Sequence, residues 1–443
     1  MSAPAASTHD QTTRRSFIKN AVTAGACAGS LALPRLATSA APGDEINVGL
    51  IGVGIRGYAL HDGINQSKHA RLGGISDISD HYIDRIKPQL KDPRTPIHRD
   101  YHALLDDKHI DAIVIAAPDH WHAQMTLDAL DAGKDVYVEK PMTYSFDEAV
   151  RVRDTARKSG RVTQVGYQRR TLDHFHKARE IVRSGILGDI HQIQLWSSRN
   201  RPTAPWRAYD TYNTPGLPKK SGPEYVDWAR FQANRPARPY DPRRFFHWQC
   251  YEEYSTGIFG ILMSHPLDAA NLVMDLDIPD TCSATGGIYH YDDGRTVPDT
   301  CNALFNYPAR NLTISFVGSS TNAFFDREAQ YRGTLGTMEL GVNWLRIYAE
   351  QKNALFQRYV AADKAGEFKD LRSQPVHKER IDYRWSTIEH LDDFFATVKS
   401  RGQCKAPVKE CFKATVALTM AIQSYKTRRT VNWDARKQRI GIG

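Results

Sequence analysis

From residue 45 onward, short apolar runs alternate with longer stretches in which apolar residues recur at helical spacing. The short runs are typical of strands in a parallel sheet, and the longer stretches are typical of the helices that connect such strands. The predicted strands are 46–51, 70–76, 110–116 and 135–138, and the predicted helices are 80–90, 120–132 and 145–158. This alternation predicts an α/β fold built on a doubly wound parallel sheet.

A glycine-rich turn directly follows the first predicted strand, in the pattern G-x-G-x-x-G. Glycines let the chain turn tightly, let the backbone approach a pyrophosphate and let the next helix pack closely with its N-terminus toward the phosphates. We therefore predict a dinucleotide site at this turn. The residues expected to contact the cofactor are Gly52, Gly54, Ile55, Arg56 and Gly57.

An acidic residue stands where the ribose of a dinucleotide needs an acceptor. Asp77 ends the second predicted strand, 20 residues beyond Gly57, and an acid at this spacing accepts a hydrogen bond from the ribose 2′-hydroxyl. Ile78 and Ser79 follow, with no Arg to receive a 2′-phosphate. NAD is therefore favoured over NADP. The alternative is a glycine-rich turn beside an unrelated surface Asp.

Two further strand ends carry polar clusters, P-D-H-W-H at 118–122 and E-K-P at 139–141. Ligands of doubly wound sheets bind outside the carboxyl ends of the strands, so we expect both clusters to border the nicotinamide. The additional cofactor contacts predicted here and just beyond are Pro118, His122, Glu139, Lys140 and Gln168.

Several motifs occur together in an order that resembles the Gfo/Idh/MocA oxidoreductases. They are the glycine turn, A-A-P-D-H-W-H at 116–122, G-K-D-V-Y-V-E-K-P-M at 133–142, V-G-Y-Q-R-R at 165–170, Gly257 with His265, the strand 333–340 and the turn 390–395. The resemblance covers nearly the whole chain after residue 44. It implies a Rossmann domain over 44–168 that binds NAD or NADP. It also implies a substrate-binding, catalytic α/β domain over 169–443, with a large, mostly antiparallel open sheet.

The resemblance implies two catalytic residues, Lys140 and His265. The lysine of E-K-P would lie beside the substrate hydroxyl and the nicotinamide, where desolvation lowers its pKa and lets it relay the hydroxyl proton. His265 would serve as the base of the substrate domain, since imidazole titrates near neutral pH. Asp268, on the same face if the stretch is helical, would either orient the imidazole or cap the helix.

The chain departs from the family pattern just before His265. Many relatives carry an Asp four residues earlier and a Gly two residues earlier, where this chain has Ile261 and Met263. Three possibilities follow. Lys140 and His265 do the proton work alone, an acid of the preceding loop such as Glu252 or Glu253 takes over, or the chemistry is altered.

The stretch 199–249 is rich in Arg, Pro, Trp and Tyr. Such a segment suits carbohydrate recognition, because aromatic faces stack on the C–H faces of sugar rings while polar side chains bind the hydroxyls. The alternative is an extended loop that packs over the sheet or contacts another subunit. Its aromatic residues include Trp206, Tyr209, Trp228, Tyr240, Phe245, Phe246 and Trp248.

Residues 1–40 predict a twin-arginine signal peptide, with T-R-R-S-F-I-K at 13–19, an apolar run over 21–33 and cleavage near Ala40 or Ala41. The apolar run is shorter than the roughly 20 residues that span a bilayer, so no stable membrane anchor is expected. Cys27 lacks the aliphatic residue of a lipoprotein box, because Ala24 stands three positions earlier. We expect a periplasmic or otherwise exported protein that meets the twin-arginine machinery already folded, with its cofactor bound.

Composition narrows the function classes. A length of 443 residues with 41% hydrophobic and 25% charged residues fits two soluble domains. Removing 1–40 lowers the formal charge from +9 to +6 and leaves no Lys/Arg block, so nucleic-acid binding is not expected. The five cysteines that remain after this removal contain no C-x-x-C pair, which predicts buried thiols and neither a metal site nor a disulfide framework. The resemblance makes a homo-oligomer plausible.

Three functions remain open from the sequence. The first is an oxidoreductase that oxidises a sugar, glycoside or polyol hydroxyl and returns the hydride to a second carbonyl compound without releasing its dinucleotide. The second is an NAD-dependent glycoside hydrolase that works by transient oxidation, elimination, water addition and reduction. The third is a sugar-binding module that retains the Rossmann scaffold without catalysis.

Overall fold

In the computed structural model, a parallel sheet forms the first half of the molecule. The model describes residues 45–201, 204–211, 214–324, 329–354, 375–381 and 386–443. The sheet has six strands in the order β3-β2-β1-β4-β5-β6, all parallel to their neighbours, which confirms the predicted doubly wound topology. The strands are β1 Ile46–Ile51, β2 Ala70–Ser76, β3 Ile97–His98, β4 Ala112–Ile115, β5 Asp135–Val138 and β6 Thr163–Val165.

Helices connect these strands and cover the faces of the sheet. They are α1 Ile55–Gln66, α2 Asp80–Ile86, α3 His102–Asp106, α4 Asp119–Asp131 and α5 Phe146–Ser159. Helix α5 shows how local chemistry sets the ends: Ser145 and Glu148 form a capping box, and Gly160 closes the helix in the left-handed conformation. Helix α2 is shorter than predicted because a 3-10 turn containing Pro88 follows it.

A ten-stranded, mostly antiparallel sheet forms the second half, as the resemblance implied. Its order is β14-β13-β12-β11-β7-β10-β9-β8-β15-β16, and among the strands that the structure describes only β7 and β10 pair in parallel. The strands are β7 Ile190–Ser198, β8 Thr281–Gly287, β9 Thr300–Tyr307, β10 Leu312–Ser319, β11 Ala329–Gly333, β12 Gly336–Leu340, β13 Trp344–Ala349, β14 His377–Arg380, β15 Val431–Asp434 and β16 Arg439–Ile442.

Buried and exposed residues alternate along the central strands of this sheet, so its two faces differ. One face packs against a helical layer, and the other is open. The helices of the second half are α6 Asp173–Arg183, α7 Trp228–Gln232, α8 Pro242–Phe246, α9 Ser264–Met274, α10 Thr387–Ser400 and α11 Val408–Thr427. On the open face, Leu304 and Val317 are 50% and 41% exposed.

Helix α10 packs on the first sheet although it lies far along the chain. Leu391, Phe394 and Phe395 are buried in one cluster with core residues of β1 and β4. Arg401, just beyond the helix, forms an ion pair with Asp135 of β5 at 2.7 Å. If the chain is divided at residue 168, α10 therefore belongs to the second domain by its place in the sequence, although its apolar face packs against the first domain.

The predicted signal peptide, residues 1–40, lies outside the described residues. Among the helices that the structure describes, none is long and apolar enough to cross a membrane. The five cysteines beyond residue 44 are buried free thiols, as expected. Within the described ranges, no group of three or more His, Cys, Asp or Glu residues is placed to hold a metal ion.

Candidate active site

One cleft between the two sheets brings together nearly all the residues predicted from the sequence. It runs from the glycine turn, past the carboxyl ends of the parallel strands, to helix α9 of the second half. Among the predicted cofactor contacts and catalytic residues, Gly57 is the one that does not line it, because it lies beneath the turn. The predicted residues that do line it are Gly52, Gly54, Ile55, Arg56, Asp77, Pro118, His122, Glu139, Lys140, Gln168 and His265.

The three glycines of the turn have different geometric reasons to be glycine. Gly52 has φ +83°, and a Cβ there would lie 2.8 Å from the Ala116 oxygen. A Cβ on Gly57 would lie 1.9 Å from the Gly52 oxygen, so α1 can pack against the turn only without it. A Cβ on Gly54 would meet nothing nearer than the Tyr82 ring at 3.8 Å, and it would occupy the cradle into which a pyrophosphate fits.

Hydrogen bonds from two backbone amides, one of them in the glycine turn, fix the carboxylate of Asp77. Its carboxylate accepts hydrogen bonds from the amides of Val53 at 2.8 Å and Ser79 at 2.9 Å. Burial raises the pKa of Asp77, and these two hydrogen bonds oppose that effect. Each carboxylate oxygen has more than one acceptor site, so both can still accept from ribose hydroxyls. The nearby Arg99 also lines the cleft and forms an ion pair with Asp80.

Glu139 is the centre of a buried network behind the cleft. Its Oε1 accepts from Arg56 Nε at 2.7 Å and from Gln168 Nε2 at 3.0 Å. Burial alone would raise the pKa of Glu139, but Arg56 and Lys140 hold it below its ordinary value. Arg56 also donates to Thr387 at the start of α10, at 3.0 Å. The network therefore joins the glycine turn, the E-K-P strand end and the helix that returns from the second half.

His122 holds backbone segments together, although it was predicted to contact the cofactor. Its Nδ1 lies 2.6 Å from the Pro141 oxygen, and its Nε2 lies 2.8 Å from the Ala117 oxygen. Both ring nitrogens are thus engaged with carbonyl groups of the two strand-end loops. A neutral imidazole can donate through only one of these nitrogens, and the ring also lines the cleft.

Lys140 points across the cleft to the second half of the molecule. Its Nζ donates to the backbone oxygen of Ile261 at 2.9 Å. Burial lowers the pKa of Lys140 to about 8, with Arg199 and Arg56 acting in the same direction. Glu139 and Asp119 oppose this shift without cancelling it. The amine therefore has a substantial neutral fraction near neutral pH and can accept a proton.

A π-helical turn, Phe259–Met263, places the carbonyl of Ile261 beside Lys140 and leads directly into α9. Turns of this kind are rare and occur frequently at functional sites. The Ile261 side chain is buried, and the polar group that this position presents to the cleft is its carbonyl. His265 lies in the first turn of α9 and lines the same cleft, with its ring edge-on to Tyr167 at 6.1 Å between centroids.

Asp268 does not orient His265. Its two oxygens accept from Arg170 Nε and Nη2 at 2.8 to 3.0 Å, and both side chains are buried. The pair ties α9 to the segment that follows β6, which carries the V-G-Y-Q-R-R motif. Asp268 and His265 both lie in α9, three residues apart as predicted, but the carboxylate of Asp268 binds the buried guanidinium of Arg170.

Neither acid proposed from the preceding loop replaces the one missing at Ile261. Glu253 pairs with Arg244 at 3.0 Å and with Arg238 at 2.9 Å, and Glu252 pairs with Lys426 at 3.3 Å. Both lie outside the lining of the cleft. Besides Glu139, an acid that lines the cleft on the side of Lys140 is Asp119, which belongs to the P-D-H-W-H cluster but is not among the predicted site residues.

Some of the described aromatic residues within 199–249 line the cleft and others pack beside it, and carbohydrate recognition by this segment stays a prediction. Trp228 stacks on Phe231 at 5.1 Å and Tyr240 meets Trp228 edge-on at 5.5 Å, while the Tyr209 oxygen accepts from Tyr82. The members that line the cleft are Trp206, Phe245, Phe246 and Trp248.

Trp206 is the most constrained of these aromatic residues. Its backbone has φ +66°, a conformation that bulky residues rarely adopt. Buried Arg295 donates to the Pro205 oxygen at 3.2 Å and to Asp293 at 2.7 Å, and Arg207 reaches the same carboxylate at 3.0 Å. These contacts hold the turn that places the indole in the wall of the cleft.

Comparison with known proteins shows what the two halves of the chain are similar to. Residues 46–167 match the model of the Gfo/Idh/MocA family, described as "Oxidoreductase family, NAD-binding Rossmann fold". The uncharacterized oxidoreductase YrbE of Bacillus subtilis is 36% identical over 159 residues, which are 36% of this chain and 46% of that protein. An alpha-N-acetylgalactosaminidase of Shewanella oneidensis is 29% identical over 234 residues, 44% of this chain and 50% of that protein. The chain thus spans about half the length of these curated relatives.

Solved structures extend the similarity of the fold to the second half. The aldose-aldose oxidoreductase from Caulobacter crescentus, complexed with glycerol, has a TM-score of 0.64 at 16% identity, over 88% of this chain and 100% of that one. Levoglucosan dehydrogenase in complex with NADH has a TM-score of 0.63 at 15% identity, over 88% and 99% of the two chains. Residues 46–167 are thus similar to the NAD-binding Rossmann domain of the Gfo/Idh/MocA oxidoreductases.

Proposed function

We propose that the protein is an NAD-dependent oxidoreductase that transfers hydride between its cofactor and a hydroxyl group of a sugar, glycoside or polyol. The observation that carries this proposal is the position of Lys140. Its amine, with a pKa lowered to about 8, lies in the same cleft as the glycine turn, Asp77 and His265. An amine that is partly neutral and lies at the far end of a dinucleotide cleft can remove the proton from a substrate hydroxyl.

The residues present fit NAD. The amides of the glycine turn and the N-terminus of α1 would hold the pyrophosphate, with the space above Gly54 left open by the missing side chain. Asp77 would accept from the adenosine ribose. Bound there, NAD supplies the acceptor for the hydride that leaves the substrate carbon. Lys140 takes the hydroxyl proton, and His265 from the opposite wall serves as the second proton-exchanging group.

The substrate side of the cleft supports a carbohydrate. Trp206 and Trp248 offer flat apolar surfaces, and Arg199, Ser197 and Gln249 line the same space with hydrogen-bonding groups. Such a mixture suits a ring with a C–H face and hydroxyl edges. The names of the structural neighbours, an aldose-aldose oxidoreductase and a levoglucosan dehydrogenase, point to the same substrate class.

Half-reactions of the purified protein test this proposal. Native protein is mixed first with a panel of sugars and polyols, and afterwards with a carbonyl acceptor, while the near-ultraviolet absorbance of reduced nicotinamide is followed. The proposal expects absorbance to rise with the first addition and to fall with the second, in amounts equal to the bound cofactor. A protein that binds these sugars without any absorbance change would instead be a sugar-binding module.

Glycoside hydrolysis is the second candidate, and the match to the Shewanella alpha-N-acetylgalactosaminidase favours it. In that reaction the same hydride leaves and returns within one substrate, so no net oxidation occurs. Nitrophenyl glycosides, N-acetylgalactosaminide among them, separate the two candidates. Release of nitrophenol without a carbonyl acceptor and without lasting cofactor reduction would identify the hydrolase.

We also propose that the protein is exported through the twin-arginine route. The supporting feature is the T-R-R-S-F-I-K sequence, followed by a short apolar run. Outside the cytoplasm the cofactor could not be replenished, so it would stay bound and be recycled in place. Cell fractionation tests this: replacing both Arg14 and Arg15 with Lys is expected to leave the protein in the cytoplasm, and unchanged export would contradict the proposal.

The open face of the large sheet supports a homo-oligomer. Leu304 on β9 and Val317 on the adjacent β10 lie on this face with large exposed fractions. Light scattering during size-exclusion chromatography would show a multiple of the mass of one chain. Replacing Leu304 and Val317 with Lys is expected to yield monomers, whereas a wild-type monomer would refute the idea.

A further inference from the structure

We infer that Asp119 takes the place of the acid that the chain lacks at Ile261, and that it acts as a positioning residue for Lys140. It does so in two ways, by anchoring the turn whose carbonyl holds the amine and by facing the amine with a negative charge. The inference rests on the proposed function, because it concerns how the proton-accepting lysine is set.

The anchor is a pair of hydrogen bonds to one residue of the second half. Asp119 begins α4 and is 2% exposed. Its Oδ2 accepts from the amide of Thr256 at 2.9 Å and from the Oγ1 of Thr256 at 2.6 Å. A buried carboxylate bound in this way is costly to displace, so the position of Thr256 is fixed relative to the first sheet.

The tether reaches the lysine through a short stretch of chain. After Thr256 comes Gly257, whose φ of +60° redirects the backbone, and then the π turn Phe259–Met263 begins. Ile261 lies in the middle of that turn, and its oxygen accepts from Lys140 Nζ at 2.9 Å. Lys140 and Asp119 both belong to the first half of the molecule. Residues 256–261 of the second half therefore bind Asp119 through hydrogen bonds at one end and the amine of Lys140 at the other.

The charges around the amine leave Asp119 a distinct electrostatic role. The charged groups that act on Lys140 are the anions Glu139 and Asp119 and the cations Arg199 and Arg56. Arg56 lies 2.7 Å from Glu139 and offsets its charge. Asp119 has Thr256 as its direct hydrogen-bond partner. Burial raises the pKa of Asp119, whereas His122, the two hydrogen bonds from Thr256 and Lys140 lower it and favour the charged carboxylate that acts on the amine. Removing that charge must make the lysine easier to deprotonate.

This arrangement explains how the chain tolerates an apolar residue at 261. An acid at that position would face the lysine with a carboxylate, whereas here the backbone carbonyl supplies the hydrogen bond and Asp119 supplies the charge from another strand end. The two functions of one side chain are thus divided between two residues that the fold brings to the same amine.

Two variants separate the two functions. Asp119→Asn keeps an acceptor oxygen for Thr256 but removes the charge, so the rise of kcat/KM with pH, set by Lys140, should move to lower pH by about one unit. Thr256→Val keeps the charge but loses the hydroxyl, so kcat should fall by about tenfold with the pH profile unmoved. Thr256→Ser should restore the rate, and Thr313→Val, on the open face of β10, serves as the matched control that changes neither quantity.

The outcomes distinguish this inference from the proposed function. If wild-type protein shows no pH-dependent rise that Lys140→Met abolishes, the proposed function itself fails. If wild-type protein shows that rise, and Asp119→Asn lowers the rate without changing the pH at which the rise occurs, Asp119 is merely structural and the inference is overturned. Should Asp119→Asn not fold, Thr256→Val decides alone, because an unchanged kcat in that variant would refute the tether.

Discussion

Replacing Lys140 with Met removes the amine while keeping most of the volume of the side chain. The hydrogen bond to the Ile261 oxygen is lost, and no group remains beside the proposed nicotinamide position to take the hydroxyl proton. The glycine turn and Asp77 are untouched, so the variant should retain NAD. We therefore expect a chemical defect without a cofactor defect.

The size of the defect follows from the pKa of Lys140. A pKa of about 8 leaves about one amine in ten neutral at pH 7, whereas the ordinary value of 10.5 would leave about three in ten thousand. Folding thus raises the amount of usable base about 300-fold. A positioned proton acceptor of this kind contributes a factor of roughly 10² to 10⁴ to the rate. The hydride-transfer step should slow by that range.

Rapid mixing of cofactor-loaded protein with an active sugar measures this step directly. In wild-type protein the rate of nicotinamide reduction should rise with pH through about 8 and then level off. In Lys140→Met the rate should be low and flat across the same range. A variant that keeps the wild-type rate, or keeps the rise near pH 8, would refute the assignment of the base to Lys140.

The same substitution has an opposite effect on stability. Because burial lowers the pKa of Lys140 in the folded protein, the unfolded chain binds more protons between about pH 8 and 10.5. Wild-type stability should therefore increase as pH rises through this window. Below pH 8 the full cost of the buried charge is present, and Met avoids it. Urea unfolding at pH 7 and equal NAD load should show Lys140→Met more stable by about 1–2 kcal/mol, discounted for partial exposure to the cleft.

Three further substitutions test the geometry around this centre. Gly57→Ala would place a Cβ 1.9 Å from the Gly52 oxygen, so thermal unfolding should show a loss of about 1–3 kcal/mol, with weakened NAD retention. Asp268→Asn leaves the charge of Arg170 buried without its counterion, so urea unfolding should show a loss of about 3–5 kcal/mol; an unchanged midpoint would contradict the pairing. Trp206→Gly relieves the φ of +66° but removes a buried core side chain, so it should destabilise the fold by about 2–4 kcal/mol and weaken sugar binding at least tenfold, whereas Trp206→Phe should retain most of the binding; equal affinities in calorimetry would remove Trp206 from the site.

The first sheet could be predicted because its information is local. Strands β4 and β5 are short runs buried on both faces, and Gly57 is required by its contact with Gly52, five residues earlier. Helix α10 is different. Its Leu391, Phe394 and Phe395 have the spacing of any amphipathic helix. Nothing in that spacing indicates which of the two sheets the apolar face will cover.

The sequence predicted which residues line the candidate site better than it predicted which other residues they contact. The motifs brought Lys140 and His265 to one cleft with the glycine turn. The partners of the acids depended on long-range contacts that no local pattern contains. Asp119 contacts a threonine 137 positions away. Asp268 contacts an arginine 98 positions away. His122 lines the cleft as predicted, and no local pattern indicates that its ring nitrogens also lie beside two carbonyl oxygens of neighbouring loops.

The most direct test is to determine what dinucleotide the natively purified protein carries and whether a sugar reduces it. The account predicts NAD in an amount close to one per chain, retained through gel filtration, and a rise in the absorbance of reduced nicotinamide when an active sugar is added. A folded protein that holds neither NAD nor NADP after purification, and that takes up neither when they are supplied in excess, would contradict it.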